Sequence, residues 1–287
     1  SSLNDFVFGS QQLDDAGAAT SDARFLFDKS LGAFRAGSAT GGEWDAGVRG
    51  ATSMGWGLDC TSQGAESTAG GKNCQALAPQ SIALGDACVA SGSNSVALGF
   101  TNTASGTNSF AVGNTNVASG NDSVAMGDSS DCNSLSGAFC FSGSNTGITA
   151  ASANSFSCRF TGGYRFFSNA TTAGPSISAG GADWVASCDR NLKENIVPLE
   201  GVLERLEQIP IYEYNFIGAE KEQLCRGPMA QDWNPQFVHN GDQLTISNLD
   251  SRGVALAGVK ELHALVKTAQ SERDAAVERA DGLEERV

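Results

Sequence analysis

From residue 53 the chain repeats itself every 14 residues. The register runs Ser53-Met54-Gly55-Trp56-Gly57, Ser67-Thr68-Ala69-Gly70-Gly71, Ser81-Ile82-Ala83-Leu84-Gly85, Ser95-Val96-Ala97-Leu98-Gly99, Ser109-Phe110-Ala111-Val112-Gly113 and Ser123-Val124-Ala125-Met126-Gly127. Ser opens every unit and Gly stands four residues later. A second corner follows in three of them, at Ala90-Ser91-Gly92, Ala104-Ser105-Gly106 and Ala118-Ser119-Gly120. A fixed period this short is the mark of a solenoid, because one coil cannot bury an apolar face alone. Residues i and i+2 of a strand share a face, so Ile82 and Leu84 point one way and Ala83 the other. Gly takes the corners, where positive φ or close backbone approach is required. Coils then stack ~4.8 Å apart and share a core. The core side chains are few and small for one chain, and a thin single roll leaves apolar surface exposed. Several rolls packed side by side are therefore expected.

The rest of the N-terminal half fits the same architecture. Residues 1–52 read as a β-rich cap, with strand candidates at Phe6-Val7-Phe8, Arg24-Phe25-Leu26-Phe27 and Ala33-Phe34-Arg35-Ala36 punctuated by Gly and Asp. Such a cap closes the end of a stack, or it is a binding tip. Residues 53–134 form the roll. Residues 135–187 form a β neck in which the repeat degrades. Gly137-Ala138-Phe139-Cys140-Phe141 keeps its phase there, and Asn154–Phe160 and Gly163–Phe167 alternate like strands. Ser176–Gly181 is a polar connection leading to Trp184.

Cys60, Cys74 and Cys88 also fall 14 apart, and Asn102 and Asn116 continue their column. Stacked coils bring such residues within the ~4.4–6.8 Å that a disulfide spans between Cα atoms. The column is a small buried residue repeated up the stack, or it carries disulfides within or between chains. The eight cysteines include no C-x-x-C pair, and the only histidines are His239 and His263. A zinc or iron–sulfur site is not expected, nor any other cofactor. A net charge of -14 argues against a nucleic-acid partner. No apolar run approaches the ~20 residues of a membrane span. The start Ser1-Ser2-Leu3-Asn4-Asp5 lacks a basic, apolar leader, so a mature or trimmed form is expected.

After residue 188 the texture changes to charged, apolar-periodic segments. Val202, Leu203, Leu206 and Ile209 fit an amphipathic helix ended by Pro210. Tyr212–Phe216 alternates like a strand, Gly227-Pro228 is a turn, and Trp233 and Phe237 belong to a core. His239, beside Asn240-Gly241, is a loop residue with no assigned role. From Val254 the chain is helical to residue 287, with Val259, Leu262, Val266, Ala269, Arg273, Ala276, Ala280, Leu283 and Val287 at heptad spacing. Arg273 interrupts an otherwise apolar coiled-coil seam.

Two resemblances are carried by these residues. The Ser-[Ile/Val/Phe]-Ala-[Leu/Val/Met]-Gly units and Ala-Ser-Gly corners resemble the left-handed parallel β-roll of YadA-like trimeric adhesin heads. That resemblance implies a homotrimer and an extended fibre. The row Cys188-Asp189-Arg190-Asn191-Leu192-Lys193-Glu194-Asn195-Ile196 resembles the peptidase S74 intramolecular chaperone of phage endosialidases and tail fibres. Ile211-Tyr212-Glu213-Tyr214, Gly227–Asp232 and Gly253-Val254-Ala255-Leu256 extend it. The expected boundaries are 188–253 for the chaperone module and 254–287 for the coiled-coil helix. The family module trimerises, helps the upstream fibre fold, and often releases itself at a Ser–Asp step with a Ser/Lys dyad. By position, Cys188 stands for the nucleophile, Lys193 for the general base, and Asp189 begins the released fragment. The chain departs from the family in having Cys for Ser. A thiol is deprotonated more readily than a hydroxyl, and a nearby ammonium favours the thiolate. The seam then either cuts, or is blocked by the larger sulfur and the module stays attached.

The fold class expected is a mainly β, trimeric fibre followed by an α+β module ending in a coiled coil. The function expected is a structural fibre or adhesin-like protein, extracellular, on a cell surface or on a virion such as a tail fibre. Its only chemistry would be a single-turnover self-cleavage, with no external substrate. A host-surface, glycan or matrix ligand on the roll or cap is the second reading. A glycan-acting enzyme is the third, disfavoured because Asp14, Asp15, Glu43 and Asp45 form no visible carboxylate pair.

Overall fold

In the coils that open on Ser53, Ser81, Ser109 and Ser123 the Ser hydroxyl turns inward and closes a tight turn on the carbonyl three residues back. Ser81 Oγ donates to Ala78 O at 2.7 Å, Ser109 Oγ to Gly106 O at 2.6 Å and Ser123 Oγ to Gly120 O at 2.6 Å. A buried hydroxyl needs such a partner. The next residue begins a five-residue strand, Ile82–Asp86, Val96–Phe100, Phe110–Asn114 or Val124–Asp128. These strands pair in parallel and in register, Ala83 against Ala97 and Ala97 against Ala111. The computed structural model describes residues 6–9, 22–144, 146–167, 174–237 and 244–284.

The chain divides into two compact units, Ser1–Cys188 and Asp189–Val287. The first is the roll. One sheet holds eleven strands and includes every five-residue strand of the coils, while a second holds seven short strands, such as Val89–Ala90 and Thr103–Ala104. The core between them is small: Ala83, Ala97, Ala111 and Ala125 from one side, Ala90, Ala104 and Ala118 from the other, with Cys60, Cys74 and Cys88, all fully buried. The larger residues face out. Ile82, Leu84, Val96, Leu98, Phe110, Val112, Val124 and Met126 are all only half-buried.

Gly at the strand end is required by the stack itself. Gly85 has φ +128°, and a Cβ there would overlap the carbonyl oxygen of Gly99 on the next coil. The other corners break the expectation that glycine alone supplies positive φ. Gln80, Asn94, Asn108 and Asp122 hold φ between 55° and 58°, and Ala87, Thr101 and Thr115 between 51° and 54°. A left-handed side chain costs of the order of 1 kcal/mol, and side-chain ladders offset it at the first of these corners. Asn94 Nδ2 donates to Asn108 Oδ1 at 3.1 Å, and Asn108 Nδ2 to Asp122 Oδ1 at 2.9 Å.

The stack runs past residue 134. Phe139–Ser142 pairs with Val124–Gly127 and then with Phe156–Arg159, still in parallel. The coils lengthen to 15 and then 17 residues, from Val124 to Phe139 and from Phe139 to Phe156. The broken period hides a continued stack. Ser176–Ser178, expected as a connection, is a strand antiparallel to Gly163–Arg165.

At the other end the cap is an antiparallel meander of β1 (Phe6–Gly9), β2 (Asp22–Asp28) and β3 (Ala33–Ala39). β3 then pairs in parallel with the first coil strand, placing Arg35 beside Gly55 in the inward-facing alanine column. Arg35 is fully buried. It donates to Ser53 Oγ at 3.0 Å, Ser53 O at 3.2 Å and Ser62 O at 2.8 Å. Trp44 Nε1 donates to Cys60 O at 3.0 Å. These side chains thus bond carbonyls of the first coil, on the side where no further coil stacks. Burial, and Arg49 beside it, pull the Arg35 pKa down to about 10, which leaves the guanidinium charged at neutral pH. Arg49 itself pairs with Asp28 at 3.1 Å.

The second unit has a small core of Val202, Ile209, Trp233, Phe237 and Val254. It is built by α1 (Val202–Leu206), α2 (Ala230–Trp233) and α3 (Asn248–Glu284), with a two-stranded hairpin of Tyr212–Tyr214 and Cys225–Gly227. α1 is shorter than expected and turns at Glu207 before Ile209 reaches the core. α3 begins at Asn248 rather than at Val254, because Ser247 Oγ accepts from the Leu249 and Asp250 N–H groups at 3.2 and 3.3 Å. That is an N-cap, and Gly253 inside the helix does not break it. His239 lies outside the described residues.

Candidate functional site

The predicted seam is an exposed strap. Its upstream end is fixed by Ser176, whose N–H and carbonyl both pair with Val185, at 2.9 and 2.8 Å. Trp184 packs on Phe166 at 5.4 Å between ring centroids. From residue 178 to residue 201 every residue is exposed, Cys188, Asp189 and Lys193 included. Apolar side chains stand out on both sides of Cys188: Trp184 and Val185 before it, Leu192, Ile196 and Val197 after it, with Val197 at 80%.

Asp189 starts a single 3-10 turn, Arg190–Leu192. Its carboxylate oxygen accepts from the Asn191 backbone N–H at 2.9 Å and from the Asn191 side-chain amide at 3.1 Å. The turn closes with Leu192 N–H on Asp189 O at 3.2 Å and Lys193 N–H on Arg190 O at 3.1 Å. This is an Asx-type cap, and it places Lys193 at the end of the turn. The boundary between the two compact units falls between Cys188 and Asp189.

Downstream, a residue that sequence reasoning missed organises the module. Gly201 precedes α1 and has no side chain to cap it. The Glu261 carboxylate reaches over from α3 and accepts from Val202 N–H at 2.8 Å and Leu203 N–H at 3.0 Å. These bonds hold the Glu261 pKa below the ordinary carboxylate range. The uncapped glycine was the available signal, since the first N–H groups of a helix need partners. Gly258 on α3 lets Leu206 come close, 3.0 Å from where a Cβ would stand. The rest of α3 presents bare apolar residues, with Leu256, Val259, Leu262 and Leu265 between 53% and 68% exposed. Beside the core an apolar groove of about 810 Å³ opens between Leu206, Tyr214, Trp233 and Ile246.

Two families meet in this arrangement. Residues 76–102, 90–116 and 104–130 match the YadA head domain repeat, and residues 188–241 match Peptidase S74, the chaperone of endosialidase. The chain carries YadA head repeats followed by an endosialidase-type chaperone domain. No curated protein and no solved structure matches the chain. The chaperone match begins at Cys188, so the domain starts within the exposed strap. The YadA head repeats coincide with the most regular part of the roll, where the alanine column is unbroken. Among the described residues no cluster of His, Cys, Asp and Glu could hold a metal, and no helix is long and apolar enough to cross a membrane.

Proposed function

We propose that this chain is a homotrimeric fibre protein, adhesin-like and extracellular or virion-borne, whose C-terminal module drives its assembly and then cuts itself off at Cys188–Asp189. The observation that carries the reading is the split between inner and outer faces of the roll. The inner core is alanine, cysteine and serine, while the branched and aromatic residues stand half-exposed in two straight columns, Ile82-Val96-Phe110-Val124 and Leu84-Leu98-Val112-Met126. Columns of that kind lose water contact only against another roll. The exposed apolar face of α3 asks for the same partner. Holding three chains at the C-terminal end raises their effective concentration where non-local parallel pairing is slow.

In the cleavage step Cys188 is the nucleophile and Lys193 the base. Support comes from the residue match at the start of the chaperone domain and from the exposure of the strap. Light scattering of the uncut Lys193→Ala chain tests the assembly: three times the 29.5 kDa chain mass is expected, and a monomer at micromolar concentration refutes it. Intact mass under reducing, denaturing conditions tests the cut: two fragments meeting at Cys188–Asp189, restored to one by Lys193→Ala. A second reading, a surface adhesin with its module permanently attached, rests on Cys standing where the family has Ser. One uncut species would establish it.

A further inference from the structure

We infer that the seam is cut between copies: the Cys188 thiolate of one chain attacks the Cys188 carbonyl carbon of the neighbouring chain. This rests on the self-cleaving trimer proposed above and names the copy that supplies the nucleophile. Within one chain, Sγ is separated from the Cys188 carbonyl carbon only by Cβ and Cα. Attack there closes a four-membered thiolactone, and the sulfur cannot approach the carbonyl along a productive line. The other side chain at the bond is also engaged, since the Asp189 carboxylate is turned downstream onto Asn191. A cut at Cys188–Asp189 with Cys188 as nucleophile therefore needs a sulfur from elsewhere.

A second copy can bring it. Cys188 is exposed, and apolar residues stand uncovered on both flanks, Trp184 and Val185 upstream and Leu192, Ile196 and Val197 downstream. Covering those flanks with the same strap of another chain sets two seams side by side. In a threefold ring such a contact is head-to-tail: each sulfur faces the next chain's carbonyl, and the third faces the first. Every chain is then both attacker and substrate, and a chain that has not assembled cannot be cut.

The step balances with water as the only co-reactant. Lys193 takes the thiol proton. The thiolate adds to the neighbouring copy's Cys188 carbonyl carbon, and the C–N bond to Asp189 breaks. The Lys193 ammonium returns the proton to the departing Asp189 nitrogen. A thioester now joins the two copies, and water hydrolyses it to a Cys188 carboxylate and the regenerated thiol.

Mixed trimers test this. Wild-type chains are co-expressed with chains carrying Cys188→Ala and a tag that shifts their mass, and trimers containing both are isolated. The Cys188→Ala chain keeps its carbonyl but has no sulfur. It is expected to stay whole in its own trimers and to be cut between residue 188 and Asp189 in mixed ones, at a higher fraction than the wild-type chain, because each missing sulfur spares the next chain in the ring and not its own. Cutting of only the wild-type chain in mixed trimers overturns the inference and leaves self-cleavage standing. A fragment beginning at Cys188 also overturns it, because attack on the Ser187 carbonyl closes a five-membered ring within one chain. Wild-type trimers that remain whole overturn the cleavage reading itself, and this inference with it.

Discussion

Replacing Asn102 probes the column that runs up the inside of the roll. Asn102 is fully buried. Its Nδ2 donates to Leu98 O at 2.6 Å and Gly113 O at 2.7 Å, and its Oδ1 accepts from Asn116 N at 2.9 Å and Asn116 Nδ2 at 3.0 Å. Asn102→Ala deletes all four bonds and leaves buried partners unmet. At roughly 1 kcal/mol net per bond the loss is about 3–4 kcal/mol. Asn102→Cys is the internal control, because Cys88 fills the same place one coil earlier. There its Sγ donates to Gly99 O at 3.3 Å. The thiol restores volume and one weak donor but no acceptor for Asn116, so a loss of about 1–2 kcal/mol is expected. Urea unfolding followed by circular dichroism at fixed chain concentration measures both. With a slope of ~2 kcal/mol/M the midpoint falls by about 1.5–2 M for alanine and by about 0.5–1 M for cysteine. An alanine variant within ~0.5 kcal/mol of wild type refutes the claim that this polar column holds the coils together. A cysteine variant as damaged as the alanine one refutes the equivalence of the column's two residue types.

Gly85→Ala combines a left-handed φ with overlap onto the Gly99 carbonyl, and its thermal midpoint should show a loss of about 3 kcal/mol or more. The Glu261 cap has a definite pH signature. Its folded-state pKa is depressed, so the stabilisation is present above the unfolded carboxylate value and disappears as pH falls through the lower folded one. Hydrogen exchange at Val202 and Leu203 should accelerate across that acid range, and Glu261→Gln should flatten the profile; an unchanged wild-type profile contradicts the cap. Iodoacetamide under native conditions should modify Cys188 first, while the buried thiols Cys60, Cys74, Cys88, Cys132 and Cys140 react only in urea. Burial, with Cys132 beside it, pushes Cys140 up to about 12, and rapid native labelling of it by peptide mass mapping would contradict the packed core.

The strand-and-corner register was legible because a solenoid writes its period directly into the chain. Ser, Ala and Gly recur every 14 residues since each coil meets the same neighbours above and below. Gly70 departs from that pattern for a reason only packing supplies: the Trp56 ring lies where its side chain would be. The strands after residue 134 were legible as a β neck, but not as further coils of the same stack, because backbone pairing tolerates coils of 15 and 17 residues, whereas a periodicity argument does not.

The linear order of residues determined the coil, its corners, the start of the chaperone domain at Cys188 and the candidate pair with Lys193. Each of these depends on residues near one another in the chain. Tertiary structure decided which face of each strand is inside, and it placed alanine there rather than the larger residues. It seated Arg35 in the end of the core, with Gly55 opposite to make room. It also brought Glu261 onto an uncapped helix 59 residues earlier. Those decisions depend on which backbone carbonyls and N–H groups lack partners once the coils and helices have packed, and that is settled only in three dimensions.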